Sequence, residues 1–305
     1  MLKIGLIDLD SSHPVSWLPK INAYGDMSVV AAWDSGVVNP RHYAEEFAQK
    51  HGLTLTDTVE AMVPLVDAAV ITGVDWDTHV DRAAPFIEVG KPVMIDKPIA
   101  GKLRDLDRLK ALHLKHPDVL IMGGSSLRFC YEMAALRHQR AELGQISCAF
   151  ASGPNDFFSY GIHTVELFQG FFGPGVRSVR ALGAHSGGEL FQATYQDGPI
   201  VTYQLHAPAS EWFFCASTSQ GTKSLTVDNS KLYDALIEWF HAMLTERTLP
   251  NPLDDSLESI KVQLAALKAR QTGLTVYLDD LAYDEGFDGA AYAASYRIQK
   301  WKGAY

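Results

Sequence analysis

Short apolar runs recur along the start of the chain, each followed by a segment of helical character. This alternation restricts the available folds more than any other feature. The strand-like runs are Lys3–Ile7, Ser28–Trp33, Ala68–Thr72, Pro92–Ile95 and Val119–Met122. Each is brief, apolar and rich in β-branched residues, the pattern of parallel strands buried on both faces. Between them lie helix-like stretches: His42–His51 after Pro40, Thr58–Val63, Thr78–Val89 closed by Gly90, and Leu103–Lys115 ahead of Pro117. Strand and helix in alternation over this length imply a doubly wound parallel sheet.

The pattern changes after Met122. Arg128–Leu143 reads as a helix, Ile146–Ala151 as a strand and Tyr160–Phe172 as a helix. Alternating stretches follow at Val176–Ala184, Gly188–Gln196, Ile200–His206, Trp212–Ser217 and Lys223–Val227, several parted by turn pairs such as Asp197-Gly198. They imply an antiparallel sheet with one exposed or partner-covered face. Helices are expected at Leu232–Thr245 and Ser256–Gly273, and the tail from Asp284 has no evident assignment. The expected domains are 1–122 and 123–305. With 305 residues, 47% of them hydrophobic, the chain can bury more than one core. Its net charge of −10 argues against a nucleic-acid binder. Cys130, Cys148 and Cys215 show no paired spacing, and the apolar stretch in Met1–Asp8 is too short for a signal peptide, so a reducing cytoplasm is expected, with no membrane span.

Chemistry concentrates at two motifs. Lys97 follows the apolar run Val93-Met94-Ile95-Asp96 and precedes Pro98. It therefore stands at a strand's carboxyl end, where open α/β sheets bind ligands, either as a proton carrier or as a surface ion-pair residue. His163 follows Gly161-Ile162 at the start of the helix over 160–172, as a proton carrier or a core histidine. The turn after the first strand is where a Rossmann protein keeps Gly-x-Gly-x-x-Gly. Here it reads Asp8-Leu9-Asp10-Ser11-Ser12-His13, with none of the three glycines. Ser11, Ser12 and His13 still offer donors to an anion at a helix start. Asp34, ending the second strand, stands where an acid takes ribose hydroxyls and disfavours a 2′-phosphate, so NAD is expected over NADP. The alternative for Asp8 and Asp10 is turn and cap duty in a domain that binds no dinucleotide. A cation held by Asp8, Asp10 and His13 is the lesser possibility, and no metal is expected.

With its elements in this order, the chain resembles the Gfo/Idh/MocA oxidoreductases over nearly its whole length. Gly90-Lys91-Pro92-Val93-Met94-Ile95-Asp96-Lys97-Pro98 is similar to the family's Gly-Lys-x-Val-x-x-Glu-Lys-Pro, with Asp96 for Glu. Thr72 with Asp77-Thr78-His79 resembles the segment lining the cofactor, Leu127-Arg128-Phe129 the start of the second domain, and Gly161-Ile162-His163-Thr164-Val165-Glu166 the Gly-x-His-x-x-Asp helix. The resemblance implies an α/β protein. Its Rossmann-type amino-terminal domain precedes an α+β domain with a large, mostly antiparallel open sheet. It implies proton transfer by Lys97 and His163, with Ser159 where the family has a third, acidic member. It implies cofactor contacts from Ser11, Ser12, His13, Asp34, Thr72, His79 and Lys97. Asn155, Asp156, Ser159 and Tyr160 are candidates to hold substrate hydroxyls, and Arg128 either pairs with a substrate carboxylate or forms a salt bridge. The implied activity is NAD-dependent oxidation or reduction of a sugar, cyclitol or related polyol, in a homodimer or homotetramer assembled through the second sheet. Two other readings stay open: a cofactor-poor relative that binds a sugar-like ligand or a partner, and a lyase or epimerase using the same lysine and histidine.

Overall fold

The computed structural model describes residues 1–185, 187–207 and 211–302. In chain order its first part contains β1 (Leu2–Ile7), α1 (His13–Asn22), β2 (Met27–Trp33), α2 (Arg41–His51), β3 (Thr54–Leu55), α3 (Val59–Met62), β4 (Ala68–Ile71), α4 (His79–Ile87), β5 (Val93–Ile95), α5 (Leu103–Lys115) and β6 (Ile121–Gly123). The second part begins with α6 (Ser126–Phe129), α7 (Tyr131–His138), β7 (Ile146–Pro154) and α8 (Gly161–Phe172). It continues through β8 (Val176–His185), β9 (Gly188–Tyr195), β10 (Ile200–Ala207), β11 (Phe213–Thr218) and β12 (Gly221–Thr226). The chain closes with α9 (Leu232–Thr245), α10 (Leu253–Thr272), β13 (Val276–Tyr277) and α11 (Gly289–Trp301).

Two compact units result. One comprises Met1–Gly123, Ile237–Leu253 and Asp288–Tyr305, the other Gly124–Leu236 and Asp254–Phe287. The sequence pattern predicts one domain from 123 onward, but the first unit also takes these two later segments. In the first unit, six parallel strands run in the order β3-β2-β1-β4-β5-β6, the Rossmann arrangement whose switch point lies between β1 and β4. The strands are apolar because both sheet faces are covered. All four residues of β4 and all three of β5 are buried. Two elements went unanticipated. β3 is only two residues long, too short to leave a period. α11 is capped by the Asp288 carboxylate, which accepts from Ala291 N–H, yet it buries only Gly289 and Ala293.

In the second unit, seven strands are ordered β12-β11-β7-β10-β9-β8-β13, antiparallel except for the β7–β10 pair. α8 is buried along its whole length and packs on β7 and β10. The single helix expected over 128–143 is broken. Cys130 adopts an extended backbone (φ −58°, ψ 147°) that interrupts the hydrogen-bond ladder between α6 and α7, and a short 3₁₀ turn ends the stretch. Among the described residues, no helix is long and apolar enough to cross a membrane.

Candidate functional site

The carboxyl edge of the first sheet gathers the turn after β1, the loop after β2 and the segment after β5. Asp8, standing at the first fingerprint position, adopts a left-handed backbone (φ 60°) that glycine would enter freely. An aspartate tolerates it at a cost of about 1 kcal/mol or more. Its side chain is held: Ser35 N–H donates to Oδ1 at 2.9 Å and Arg82 Nε to Oδ2 at 3.3 Å. Arg82 in turn lies over the Trp33 ring, 4.3 Å from its centroid. Asp34 accepts from Leu9 N–H and Gly36 N–H, each at 2.8 Å, one on either oxygen. Asp10 accepts from Val74 N–H at 3.0 Å on Oδ2, while its buried Oδ1 has no partner. One oxygen from each of Asp8, Asp10 and Asp34 lies within 4.8 Å of the others, and all three residues are buried. His13, the third residue of the cation site weighed from the sequence, is not in that cluster.

This crowding has an electrostatic consequence. Burial, reinforced by the Asp8 charge, raises the Asp10 carboxyl to about 8. Burial likewise raises Asp34, against the pull of its two backbone donors. Asp10 therefore carries a proton over most of the neutral range and adds little charge to the turn. A carboxyl whose folded pKa lies above its unfolded value gives stability that is full below the unfolded pKa and is lost as pH rises through the folded one. Asp10→Asn is accordingly expected to stabilise the protein by on the order of 2 kcal/mol at pH 8 and to have almost no effect at pH 4. Thermal melts at the two pH values test this; equal shifts at both would contradict a neutral Asp10.

His13, read as a donor to the cofactor, is committed elsewhere. Its Nδ1 pairs with the buried Asp96 carboxylate and its ring stacks on Trp17. Burial pushes Asp96 up, but the His13 charge and hydrogen bond, with Lys97 nearby, hold it below the ordinary carboxylate range. Asp96 Oδ1 also accepts from Lys97 N–H at 2.7 Å, which fixes the backbone where the lysine begins. Lys97 itself is partly exposed, two residues past β5. Ser11 is bound back into the turn, its Oγ accepting from His13 N–H at 3.2 Å, and Ser12 precedes α1 without capping it.

Two further expected cofactor contacts prove to be internal. Thr72 is wholly buried and its hydroxyl donates to the Ile7 and Asp8 carbonyls, tying β4 to β1. His79 is also wholly buried, and its Nε2 donates to the Gly73 carbonyl at 2.9 Å. With no exposed surface, neither side chain can reach a ligand.

In the second unit, Arg128 is an internal ion pair and not a substrate contact. Its Nε donates to Glu166, with Nη2 on Ser259 Oγ at 2.8 Å and on Gln169 Oε1 at 3.3 Å. The two charged side chains are 3% and 1% exposed. Gly124 (φ 105°) lies against this pair; a Cβ there would come 3.1 Å from the Glu166 carboxylate. His163, largely buried, is hydrogen-bonded through Nδ1 to the Ser125 hydroxyl, which also accepts from Leu127 N–H at 3.0 Å. Trp212 and Tyr160 stand edge-on to the imidazole, at 5.1 and 5.8 Å. Asp156 holds the turn before α8, its Oδ1 accepting from the N–H groups of Phe158, Ser159 and Tyr160. Asn155 is exposed in a left-handed conformation, and Ser159, at the position of the missing acid, is buried. No sequence motif singles out Ser125 or Trp212. Ser125 is 38 residues from the histidine it holds, and no local spacing signals that pairing.

Residues 19–124 match the sequence model of a family described as "Oxidoreductase family, NAD-binding Rossmann fold". A curated relative from Amycolatopsis mediterranei (strain S699), named "Putative UDP-kanosamine synthase oxidoreductase subunit", is 28% identical over 131 residues, 43% of this chain and 35% of the relative. The chain thus aligns with little more than a third of the curated relatives it matches. Among solved structures, a myo-inositol dehydrogenase from Corynebacterium glutamicum superposes with a TM-score of 0.76 at 19% identity, over 92% of this chain and 100% of that one. A scyllo-inositol dehydrogenase from Lactobacillus casei, with bound NAD(H) and scyllo-inositol, gives 0.77 at 15% identity over 92% and 99%. At such identities the likeness establishes the fold.

Proposed function

We propose, from the premise that the first unit of this chain belongs to the Gfo/Idh/MocA oxidoreductase family, that the protein catalyses NAD-dependent oxidation or reduction of a sugar, cyclitol or related polyol. The observation that carries the reading is the carboxyl edge of the six-stranded sheet. Lys97 stands there two residues past β5, and Asp34 directly follows β2, the strand that pairs with β1. The inositol dehydrogenases among the structural relatives supply the substrate class.

The residues at that edge suit a dinucleotide. Each Asp34 oxygen accepts one backbone N–H and retains a second lone pair for a ribose hydroxyl. The turn, despite two aspartates, is short of charge, since Asp10 is protonated through most of the neutral range and Asp8 is paired with Arg82. Bound NAD would supply the hydride acceptor. Lys97, in its neutral form, takes the hydroxyl proton of the substrate as the carbonyl forms, and returns it in the reverse direction. The resemblance also gives His163, in the second unit, a role in proton transfer, with Ser125 holding its Nδ1. Asn155 and Tyr160 are the sugar-hydroxyl contacts on that unit. Assembly as a homodimer or homotetramer through the second sheet belongs to the same proposal. It is supported by apolar residues left exposed on β8 and β10, Leu182 and Ile200.

Calorimetric titration with NAD and NADH tests the reading. Micromolar binding is expected, weakened about tenfold or more by Asp34→Ala. Turnover should then be found in a screen of polyols. Absence of dinucleotide binding would favour the cofactor-free alternative.

A further inference from the structure

We propose that Lys300, carried by the last helix of the chain, is the cation that receives the dinucleotide's phosphates in place of the missing fingerprint glycines. The inference rests on the dinucleotide reading above and adds a residue that no motif indicates.

Glycines at this turn let phosphate approach the backbone and the N-terminus of the following helix. Here that approach is poor. Side chains project from positions 8 and 10, His13 N–H already donates to Ser11 Oγ, and Pro14 has no N–H to offer. A ligand anion must find its donor elsewhere.

Lys300 supplies one. Its Nζ donates to the Asp10 carbonyl at 2.7 Å and to Asn39 Oδ1 at 2.8 Å. Asp10 is the second fingerprint position, where the glycine pattern brings phosphate closest to the chain. The amide of Asn39 is fully buried and set by its own bond from Nδ2 to the Leu9 carbonyl at 2.8 Å, so the oxygen facing the lysine is fixed. Next along the helix, Trp301 Nε1 donates to the Val38 carbonyl at 2.9 Å, which pins the end of α11 to the loop after β2. The ammonium also lies 5.1 Å from the centre of the Tyr43 ring.

The charge balance gives this arrangement its meaning. Arg82, the other cation at the turn, is paired with the Asp8 carboxylate. Lys300 is half buried, and both of its hydrogen-bond partners are neutral oxygens. Burial disfavours its charge, while the Asp10 and Asp34 carboxyls nearby favour it without bonding to it. An ammonium has three N–H donors, and the third is not used by either oxygen. A partly desolvated cation without a directly bonded carboxylate is costly by itself and complementary to an anion. Held on the backbone of the phosphate turn, its natural complement is a diphosphate.

Titrations of ADP, adenosine and NAD against the full chain test this, with Lys300→Gln, Lys300→Arg and thermal melts of each variant. Lys300→Gln is expected to weaken ADP and NAD by about tenfold or more while adenosine stays within about twofold, and Lys300→Arg to recover most of the loss. Raising salt should weaken ADP binding more in the wild type than in Lys300→Gln. Equal weakening of ADP and adenosine, or a lowered melting temperature with ADP affinity intact, would make Lys300 a latch for α11 and overturn the proposal. NAD binding that Lys300→Gln leaves unchanged overturns this inference alone. A wild-type chain that binds neither NAD nor ADP overturns both this and the function it rests on.

Discussion

Lys97→Ala is expected to lower turnover by about 10²–10⁴-fold, the range for loss of a positioned proton carrier. Affinity for NAD and the melting temperature should change little. The reason lies in how the residue is held. Asp96 N–H bonds to the Ile71 carbonyl at 2.9 Å, continuing the β4–β5 pairing one residue past the strand, and the Asp96 carboxylate then accepts from Lys97 N–H. The lysine backbone is thus fixed while its side chain remains partly exposed, so its loss should leave the surrounding packing largely intact. Lys97→Arg separates proton transfer from charge. A guanidinium keeps the positive charge but gives up no proton near neutral pH, so it should be nearly as inactive as alanine. Arginine restoring turnover would assign the residue to electrostatic binding, and alanine leaving turnover intact would remove it from the reaction.

Arg128→Met should produce the largest loss of stability, about 3–5 kcal/mol, or a fall of about 10 °C in melting temperature. The guanidinium of Arg128 is the counter-charge to Glu166, and α6, α8 and α10 all contribute to its surroundings. Burial raises the Glu166 carboxyl even with Arg128 pulling the other way. Without the arginine it will rise further, and a carboxyl raised in the folded state costs more as pH increases through that range. The deficit should therefore be smallest near pH 5 and largest near pH 8. Arg128→Met combined with Glu166→Leu should recover much of it, because no uncompensated charge is left behind. Urea denaturation at both pH values measures the effect. A stable Arg128→Met protein whose only defect is a raised KM would return the arginine to a substrate-binding role.

Sheet composition explains why the strands of the first unit could be read from sequence. A strand buried on both faces leaves an uninterrupted apolar run, as β4, β5 and β6 do throughout and β1 does from Ile4 onward. The second sheet was legible for the complementary reason, since an open face produces alternation. α11 left no such trace, because it buries only Gly289 and Ala293 and is held by scattered contacts: Gly289 N–H on Asp77, Tyr292 on Trp76, and Lys300 and Trp301 near its end. The same reasoning separates the parts of the site. Lys97 and His163 lie within dense local motifs. Lys300 meets Asp10 across 290 residues, and nothing in either neighbourhood predicts the other. Thr72 and His79 stand close to the turn in sequence pattern, but burial turned both inward, and that depends on packing that a motif does not encode.

The His13–Asp96 pair constrains how this turn could have arisen or could be changed. Position 13 is where the fingerprint has its last glycine, and position 96 is where the family motif that this segment resembles has glutamate. Two positions that look independent along the chain are in contact in space. Restoring glycine at 13 alone would strand a buried carboxylate, and lengthening the acid to glutamate alone would drive it into the imidazole. Either exchange alone is therefore expected to cost stability, and efforts to rebuild a glycine-rich turn in this protein will have to exchange both residues together.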